Sequence, residues 1–281
     1  MKKSIALLLA ALLCLGGITA FAASEADIAA TLEQAQALAT DASLQKVLSA
    51  GQLVLGLDDA FPPMGYRDEK GEIVGFDIDV ATEVAARLGI KLAPQPIDWS
   101  TKEAELNAGA VDCIWNGLTI TPERQEAMRI SLPYLANEQV VAVRQDDAAQ
   151  TLADLAGRTL GLQAGSSAVD ALNANPDLKT SLAEVAEFDD YLLAMMDLEQ
   201  GGVDAVLIDS IVANYYLTIK GGQYRLLGES VATESFGIAF RKGDELLAAT
   251  VEATLLGMAA DGKLAEISTK WFGSDVTVLG K

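Results

Sequence analysis

Apolar segments of two kinds alternate along most of the chain, and their spacing predicts alternating strands and helices. Residues 53–57 form a short apolar run, which is typical of a buried strand. Within residues 77–88, the apolar positions Val80, Val84 and Leu88 recur at every fourth residue, as on one face of a helix. Because this alternation continues toward the C-terminus, it predicts an α/β fold with largely parallel sheets.

The first residues have the pattern of a secretory signal peptide. Lys2 and Lys3 precede an apolar run over residues 5–15, and a small-x-small motif follows at residues 20–22. This pattern predicts that residues 1–22 are cleaved and that the mature protein is exported, soluble, and periplasmic or extracytoplasmic. The alternative is a leader retained as a membrane anchor, because its apolar character approaches spanning length.

A helical extension follows the leader. Residues 24–50 are rich in Ala, Leu, Gln and Glu and contain neither Gly nor Pro, which predicts helix. Asp41 or Ser43 is a candidate cap for a second short helix that ends at Gly51.

The composition excludes several classes of function. The 281 residues, 51% of them hydrophobic, suffice for one large or two modest domains. The net charge of -20 repels phosphate backbones, so we expect no nucleic-acid partner. The chain has no histidine, which excludes Ser-His and Cys-His catalysis and His-ligated zinc or haem, and we expect no cofactor and no metal. Cys14 lies in the leader, so Cys113 is expected to remain a single thiol without a disulfide partner.

A short motif occurs twice. Residues 106–112 (Leu-Asn-Ala-Gly-Ala-Val-Asp) are echoed by residues 198–204 (Leu-Glu-Gln-Gly-Gly-Val-Asp), and each copy reads as a helix end, a glycine and a strand. The repeat predicts two α/β lobes of similar build with a ligand held between them, at the carboxyl ends of strands. The alternative is a coincidental match of a short motif.

A candidate anion site follows the first copy. Thr121 is a good N-cap, Pro122 suits the first helical position, and Arg124 then falls in the first turn. Free backbone N–H groups, the positive helix end and a guanidinium favour a carboxylate there. The alternative is an exposed arginine paired with Glu123 or Glu126.

A candidate cation site follows the second copy. Asp209 lies at the end of its strand, at the position that corresponds to Gly117 in the repeat. Its carboxylate suits an ammonium group, although Asp also caps helices at such positions. One cationic and one anionic group on matched strand ends suit a zwitterion, and therefore an α-amino acid.

Hydroxyl and aromatic residues add to this site. Ser166 and Ser167 lie at a second helix start, where hydroxyls and N–H groups suit the carboxylate from the opposite lobe. Phe61 and Trp99 are candidates to sandwich the apolar stem of the ligand, with core packing as the alternative for each.

Four segments resemble a known family when taken together. Residues 75–80 (Gly-Phe-Asp-Ile-Asp-Val) resemble the signature of bacterial polar amino-acid-binding proteins of ABC importers, solute-binding family 3. Residues 58–65, 115–124 and 165–167 resemble the family's other landmarks in the correct order, and the resemblance extends over residues 48–272.

The resemblance implies a periplasmic-binding-protein-like fold, with two α/β lobes joined by a two-strand hinge. The crossing strands are expected near Glu138–Arg144 and Val231–Ile238. Lobe 1 is expected to comprise residues 23–142 and 235–281, and lobe 2 residues 143–234.

The resemblance also implies roles for single residues. Arg124 holds the ligand carboxylate with help from Thr119 and Ser167, Asp209 takes the α-amino group, and Phe61 packs on the side chain. We predict a ligand site formed by Asp58, Phe61, Trp99, Asn116, Gly117, Thr119, Arg124, Gln163, Ser166, Ser167 and Asp209.

The side-chain specificity stays open at this stage. By the resemblance, Trp99 forms a wall and Asp58 lies near the end of the ligand side chain. Asp58 suits a cationic side chain or an amide, whereas Gln163 and Asn116 favour neutral polar ligands. Many relatives have serine where this chain has Asn116 and Gly117, so we predict a polar L-amino acid and nothing narrower.

The predicted function is capture and delivery without covalent chemistry. We expect a monomeric binding protein that closes on a free L-amino acid and delivers it to an ABC permease in the membrane. The alternatives are an exported dehydratase of the same fold acting on prephenate-like acids, and a sensory ligand-binding domain.

Overall fold

The computed structural model describes residues 38–281. The leader and most of the predicted helical extension lie outside the described residues, and residues 41–281 form one compact unit. Helix α1 (Ser43–Ala50) is the predicted second short helix. The carboxylate of Asp41 accepts a hydrogen bond from the Ser43 N–H at 2.7 Å, and the helix ends at Gly51 with φ 70°.

Nine further α-helices follow in the described part of the chain. They are α2 (Phe76–Arg87), α3 (Lys102–Ala108), α4 (Pro122–Ala127), α5 (Ser167–Asn173), α6 (Pro176–Ser181), α7 (Tyr191–Gln200), α8 (Ser210–Ile219), α9 (Glu245–Ala260) and α10 (Lys263–Phe272). Two 3-10 turns cover Trp99–Thr101 and Leu152–Leu155. Among residues 38–281, no helix combines the length and apolar character required to cross a bilayer.

The strands form one large mixed sheet and one small sheet. They are β1 (Gln52–Leu57), β2 (Ala60–Phe61), β3 (Gly65–Arg67), β4 (Ile73–Val74), β5 (Lys91–Pro96), β6 (Cys113–Thr119), β7 (Arg129–Ile130), β8 (Leu135–Arg144), β9 (Thr159–Gln163), β10 (Glu184–Phe188), β11 (Ala205–Asp209) and β12 (Tyr224–Phe240). The large sheet has the order β10-β9-β11-β8-β12-β6-β1-β5, with β7 paired to β12, and the small sheet has the order β2-β3-β4.

Two parallel groups of strands lie at opposite ends of the large sheet. Strands β5, β1 and β6 run parallel in lobe 1, and β10, β9 and β11 run parallel in lobe 2. Parallel neighbours need crossover connections, and helices of the chain supply them. The α/β fold with two lobes is therefore confirmed.

Strands β8 and β12 join the two lobes. Strand β12 pairs with β6 through Phe236 and Thr119, and with β8 from Phe236 back to Tyr224. Strand β8 pairs in turn with β11, where Gln139 lies opposite Asp209. Both predicted crossing segments lie in these strands, although the half of β8 beyond Gln139 already belongs to the lobe 2 sheet.

The repeated motif folds the same way in both lobes. Helices α3 and α7 end at Gly109 and Gly201, with φ 80° and 81°, a left-handed conformation that glycine adopts without strain. The aspartate that closes each motif then accepts a backbone hydrogen bond from the neighbouring strand at 3.0 Å, Asp112 from Val54 and Asp204 from Thr159. The match is therefore structural and not a coincidence.

The apolar pattern of the sequence becomes the core. Val80 and Val84 on α2 are buried and Leu88 is half-buried, as the helical spacing predicts. Every residue of β6 and of β11 is buried, which is typical of parallel strands covered on both faces. The carboxyl ends of these strands therefore emerge inside the protein, where their polar residues need partners.

Candidate functional site

Polar residues from the ends of four strands meet between the lobes. Gln163, at the end of β9, donates from Nε2 to Oδ2 of Asp58 just after β1, at 2.7 Å. Thr119, at the end of β6, lies 3.0 Å from the Ser167 hydroxyl at the start of α5. These contacts join lobe 1 to lobe 2 and define one cleft.

Arg124 is buried at the start of α4, as its local sequence predicts. Thr121 caps the helix by accepting from the Arg124 N–H at 3.2 Å, and Pro122 occupies the first turn. The guanidinium donates to the carbonyls of Thr119 at 2.9 Å and Gly165 at 3.3 Å. Burial lowers the pKa of Arg124, and within residues 38–281 it forms no ion pair. The alternative of an exposed arginine paired with a neighbouring glutamate is wrong.

Asp209 is buried at the end of β11. Its Oδ1 accepts from Nδ2 of Asn137 at 2.6 Å and from Nε2 of Gln139 at 3.0 Å, and it makes no capping bond to α8. Burial, and then the nearby charge of Glu234, raise the pKa of Asp209 to about 8, and the positive charge of Arg124 opposes this rise. The carboxylate thus faces the cleft and not the helix.

Glu234 lies at the centre of the polar network, and the sequence motifs did not identify it. Its Oε2 accepts from the hydroxyls of Thr119 at 3.0 Å and Ser167 at 3.2 Å, and from the side-chain amides of Asn137 and Gln139, each at 3.1 Å. Glu234 comes from β12, opposite Asn137 on β8.

Asn137 and Gln139 are also absent from the predicted set. Both lie on β8, where alternate residues from Leu135 to Gln139 are buried. This gives a signal in the sequence, because two amides spaced by two residues on the buried face of a strand need polar partners.

Asp58 begins a second polar group in the cleft. Its Oδ1 accepts from the Ala60 N–H at 2.8 Å, and its own N–H donates to Oδ1 of Asn116 at 3.2 Å. Burial raises the pKa of Asp58 to about 6. The Nδ2 of Asn116 is buried and has no hydrogen-bond partner within residues 38–281. It is therefore a buried donor whose hydrogen-bonding capacity is not used by the described residues.

Gly117 and Phe61 fit against each other. Gly117 has φ 60°, and a Cβ added there would lie 2.7 Å from Cε1 of Phe61. The Phe61 ring also packs on Tyr191, with ring centroids 5.9 Å apart. The N–H of Gly117 donates to Oδ2 of Asp77 at 2.9 Å, a buried carboxyl that also accepts from the Tyr134 hydroxyl at 3.0 Å.

Trp99 and Ser166 lie outside the hydrogen-bond network around Glu234. Trp99 packs in an apolar cluster with Leu106, Ile114 and Leu118, and the Lys102 ammonium lies 5.2 Å from its ring centroid. Ser166 donates to the Gln163 carbonyl of its own loop at 2.8 Å and caps α5. Neither side chain hydrogen-bonds to Thr119, Ser167, Asp209 or Glu234.

A groove of about 720 Å³ opens beside Arg124. It is lined on one side by residues 100–104 and Asn107, and on the other by Gly165, Ser166, Val169 and Asp170. Lys102 crosses between the two sides, donating to the carbonyls of Trp99 at 3.1 Å and Gly165 at 2.8 Å. Among residues 38–281, no group of three or more His, Cys, Asp or Glu side chains is arranged to hold a metal ion.

The sequence is similar to those of known proteins over most of its length. The L-cystine-binding protein TcyJ of Escherichia coli (strain K12) is 30% identical over 244 residues, covering 86% of this chain and 90% of the relative. The ABC transporter arginine-binding protein 1 of Escherichia coli (strain K12) is 28% identical over 230 residues, covering 80% and 92%.

Solved structures show the same fold. A substrate-binding protein of an ABC uptake transporter from Streptococcus pneumoniae with bound histidine is 40% identical, with a TM-score of 0.81 over 85% of this chain and 99% of that one. An ancestral amino-acid-binding protein, described as a precursor of cyclohexadienyl dehydratase, is 29% identical, with a TM-score of 0.76 over 82% and 99%.

The family model agrees with both comparisons. It describes bacterial extracellular solute-binding proteins, family 3, and matches residues 53–274, which include both lobes and the crossing strands. The chain therefore belongs to the bacterial extracellular solute-binding proteins of family 3.

Proposed function

We propose that this protein binds a polar L-amino acid in the cleft and delivers it to the membrane permease of an ABC importer. The observation that carries the proposal is a buried guanidinium, that of Arg124 from lobe 1, and a buried carboxyl, that of Asp209 from lobe 2, each of which influences the pKa of the other. The relatives that bind cystine, arginine and histidine support an amino acid as the ligand class.

The charges explain why a zwitterion fits. A buried charge is costly unless it is paired, and the described residues give Arg124 no ion pair. An amino acid brings a carboxylate for Arg124 and an ammonium for Asp209, which satisfies both in one step. Phe61 and Tyr191 offer an aromatic surface to the apolar part of the side chain.

Asp58 and Asn116 would contact the far end of the ligand. The carboxylate suits a cationic or amide side chain, and the unpartnered amide N–H of Asn116 suits an acceptor. These opposite preferences favour polar side chains as a class.

The test has two steps, a screen that identifies the ligand and a measurement of its binding to an Arg124 variant. A thermal-shift screen of purified protein against the twenty amino acids and L-cystine identifies the ligand, because a ligand that binds only the folded state raises the melting temperature. We expect Arg124→Ala to weaken binding of that amino acid by about 3–5 kcal/mol in calorimetry, since it leaves a buried carboxylate unpaired.

The matched control is Arg87→Ala. Arg87 lies on the surface, paired with Glu83 and Asp261, and its loss should leave the affinity unchanged. Near-normal affinity in Arg124→Ala with an intact circular dichroism spectrum would overturn the assignment of the carboxylate. Failure of every amino acid to stabilise the wild-type protein would overturn the proposed function.

A dehydratase is the second candidate function. It is favoured by the ancestral relative described as a precursor of cyclohexadienyl dehydratase, and by Asp209, whose pKa of about 8 keeps a proton available near neutral pH. We infer that the protein is not an enzyme, because the Arg124 guanidinium and the Asp209 carboxyl suit stable binding of both ends of an amino acid. Incubation with prephenate should give no product, and measurable turnover would reverse this inference.

Export and assembly are parts of the same proposal. We infer that the mature chain begins after residue 22, acts outside the cytoplasm as a monomer, and docks on its permease in the ligand-bound form. Mass spectrometry of the protein expressed with its leader should give the mass of residues 23–281, and the full-length mass in a membrane fraction would favour a retained anchor.

A further inference from the structure

Glu234 is the least expected member of the cleft. It comes from the crossing strand β12, and its Oε2 accepts hydrogen bonds from three other elements, β6, α5 and β8. No ion pair of Glu234 is formed in the described part of the chain, and its bonding partners are all neutral. The arrangement calls for an explanation, because the same hydroxyls were assigned from the sequence to the ligand carboxylate.

The number of hydroxyl protons determines which hydrogen bonds Thr119 and Ser167 can form with a ligand. A serine or threonine hydroxyl has one proton to donate, and an ionised carboxylate only accepts. Thr119 and Ser167 both lie within bonding distance of Glu234 and 3.0 Å from each other. Whichever hydroxyl donates to the other, both hydroxyl protons form hydrogen bonds among Thr119, Ser167 and Glu234. Neither hydroxyl then has a proton left to donate to a ligand, so each can only accept.

The side-chain N–H groups of Asn137 and Gln139 are also used in hydrogen bonds within the network. The two N–H groups of the Asn137 side chain bond Asp209 and Glu234. The Nε2 of Gln139 lies within bonding distance of Ser167, Asp209 and Glu234, so its two N–H groups are also used. The donors of Thr119, Ser167, Asn137 and Gln139 are therefore all used, and these four side chains, which form one wall of the cleft, offer a ligand acceptors alone.

From this geometry we propose that Glu234 is a positioning residue that accepts hydrogen bonds from the hydroxyls of Thr119 and Ser167 and thereby makes this wall selective for the ligand ammonium. The inference rests on the proposed function and deepens it. It reassigns the two hydroxyls from the carboxylate to the ammonium end, and it leaves the carboxylate to Arg124 and backbone N–H groups. An ammonium has three N–H donors, which match Asp209 and the two hydroxyl oxygens.

The test compares an amino acid with its analogue lacking the α-amino group. The probe is the amino acid that raises the melting temperature most in the screen, paired with its deamino acid; for L-histidine this is imidazole-4-propionic acid, and for L-arginine 5-guanidinopentanoic acid. In Glu234→Gln the side chain keeps its size but gains donors, so the hydroxyls and amides are no longer forced to donate inward.

Calorimetry should then separate the two ends of the ligand. We expect Glu234→Gln to lower the affinity for the amino acid at least about tenfold, because hydrogen bonds to the charged ammonium are lost. The affinity for the deamino acid should change less than about twofold. Glu138→Gln is the matched control, because Glu138 lies on the other crossing strand with an exposed side chain, and it should change neither affinity.

A second variant guards against a folding defect. Thr119→Val removes one hydroxyl while preserving the shape of the side chain. It should also lower the affinity for the amino acid and leave the affinity for the deamino acid unchanged. Equal weakening of both probes in either variant would overturn the proposal and return the hydroxyls to the carboxylate.

A gain in affinity would be equally decisive. If Glu234→Gln binds the amino acid more tightly, Glu234 competes with the ligand carboxylate for the hydroxyls, and the proposal is wrong. These outcomes differ from failure of the proposed function, which would appear as absence of amino-acid binding in the wild-type protein.

Discussion

Buried carboxyl groups dominate the energetics of the cleft at the scale of single residues. Burial raises the pKa of Asp58 to about 6, of Asp77 to about 7 and of Asp209 to about 8, from an ordinary value of 3.8. Each group is therefore protonated over part of the range in which the unfolded chain is ionised. Asp77 holds the backbone of Gly117 in place, and under the proposed function Asp58 and Asp209 are polar groups for the ligand.

These raised pKa values predict a pH-dependent stability. Between pH 4 and 8 these three carboxyl groups bind more protons in the folded protein than in the unfolded chain, so their contribution to the free energy of unfolding falls as pH rises through the folded pKa values. Lys102, whose pKa is lowered to about 8, acts in the opposite direction near and above that pH. We expect the melting temperature of the ligand-free protein to drop by about 5 °C or more from about pH 5 to 7.5 in calorimetric scans.

Asp209→Asn isolates one contribution to this fall. It removes the last of the three carboxyl groups to titrate, so the contribution of Asp209 to the fall between pH 7 and 8.5 should disappear. The same change in melting temperature over this range in the wild-type protein and in Asp209→Asn would contradict the assignment. The ammonium of a bound amino acid favours ionised Asp209, so binding should release protons, which calorimetry in buffers of different ionisation enthalpy detects.

A second prediction at this scale concerns Gly117. Its φ of 60° is unfavourable for other residues by about 1–2 kcal/mol, and a Cβ would also press on the Phe61 ring. We expect Gly117→Ala to lower both the melting temperature and the affinity for the amino acid, because Phe61 must move. Gly228→Ala is the control, since a Cβ there meets no atom within 4 Å, and a Gly117 variant as stable and as tight as this control would contradict the expectation.

At the scale of elements, the cleft depends on a close approach between a loop of lobe 2 and a 3-10 turn of lobe 1. A Cβ on Gly165 would lie 2.9 Å from the Cα of Ser100, and Lys102 bonds the Gly165 carbonyl at 2.8 Å. Burial, and then the charge of Arg124, lower the pKa of Lys102 to about 8. The loop therefore meets two cationic side chains of lobe 1 through a single carbonyl.

Gly165→Ala should weaken binding by preventing this approach. Both Gly165 and Gly157 have positive φ, 67° and 75°, but a Cβ on Gly157 meets no atom within 4 Å. Gly157→Ala is therefore a control for the backbone cost alone. We expect Gly165→Ala to lose about tenfold more affinity than Gly157→Ala, since the backbone of Ser100 cannot yield without separating the lobes. Equal losses in calorimetry would show that the approach is unimportant for binding.

At the scale of the whole molecule, two half-sheets share the strands β8 and β12. The contacts between lobes include polar bonds, such as those of Gln163 with Asp58 and of Thr119 with Ser167, and the packing of Phe61 on Tyr191. Such contacts form and break at modest cost, so a ligand that bonds to both lobes shifts the balance between separated and joined lobes.

Small-angle scattering tests this motion. Addition of the amino acid found in the screen should reduce the radius of gyration of the wild-type protein, and Arg124→Ala should not respond. An unchanged radius of gyration on saturation with a ligand that binds in calorimetry would argue against hinge closure in solution.

Much of the fold is predictable because its signals are local. The glycines that end α3 and α7, the apolar spacing of α2 and the Thr-Pro start of α4 act within one or two helical turns. The motif order then identifies the family, and burial of Arg124 and Asp209 at matching strand ends follows from the repeat.

The sequence by itself thus determined the α/β architecture, the family and the candidate residues Arg124 and Asp209, both of which are buried. Only the tertiary structure decided the roles of Glu234, Asn137 and Gln139, and packed Trp99 into an apolar cluster. Thr119 and Glu234 are 115 residues apart, and they meet because β12 crosses between the lobes beside β6 and β8. Hydrogen bonds over such separations depend on the path of the chain, for which neighbouring residues carry no pattern.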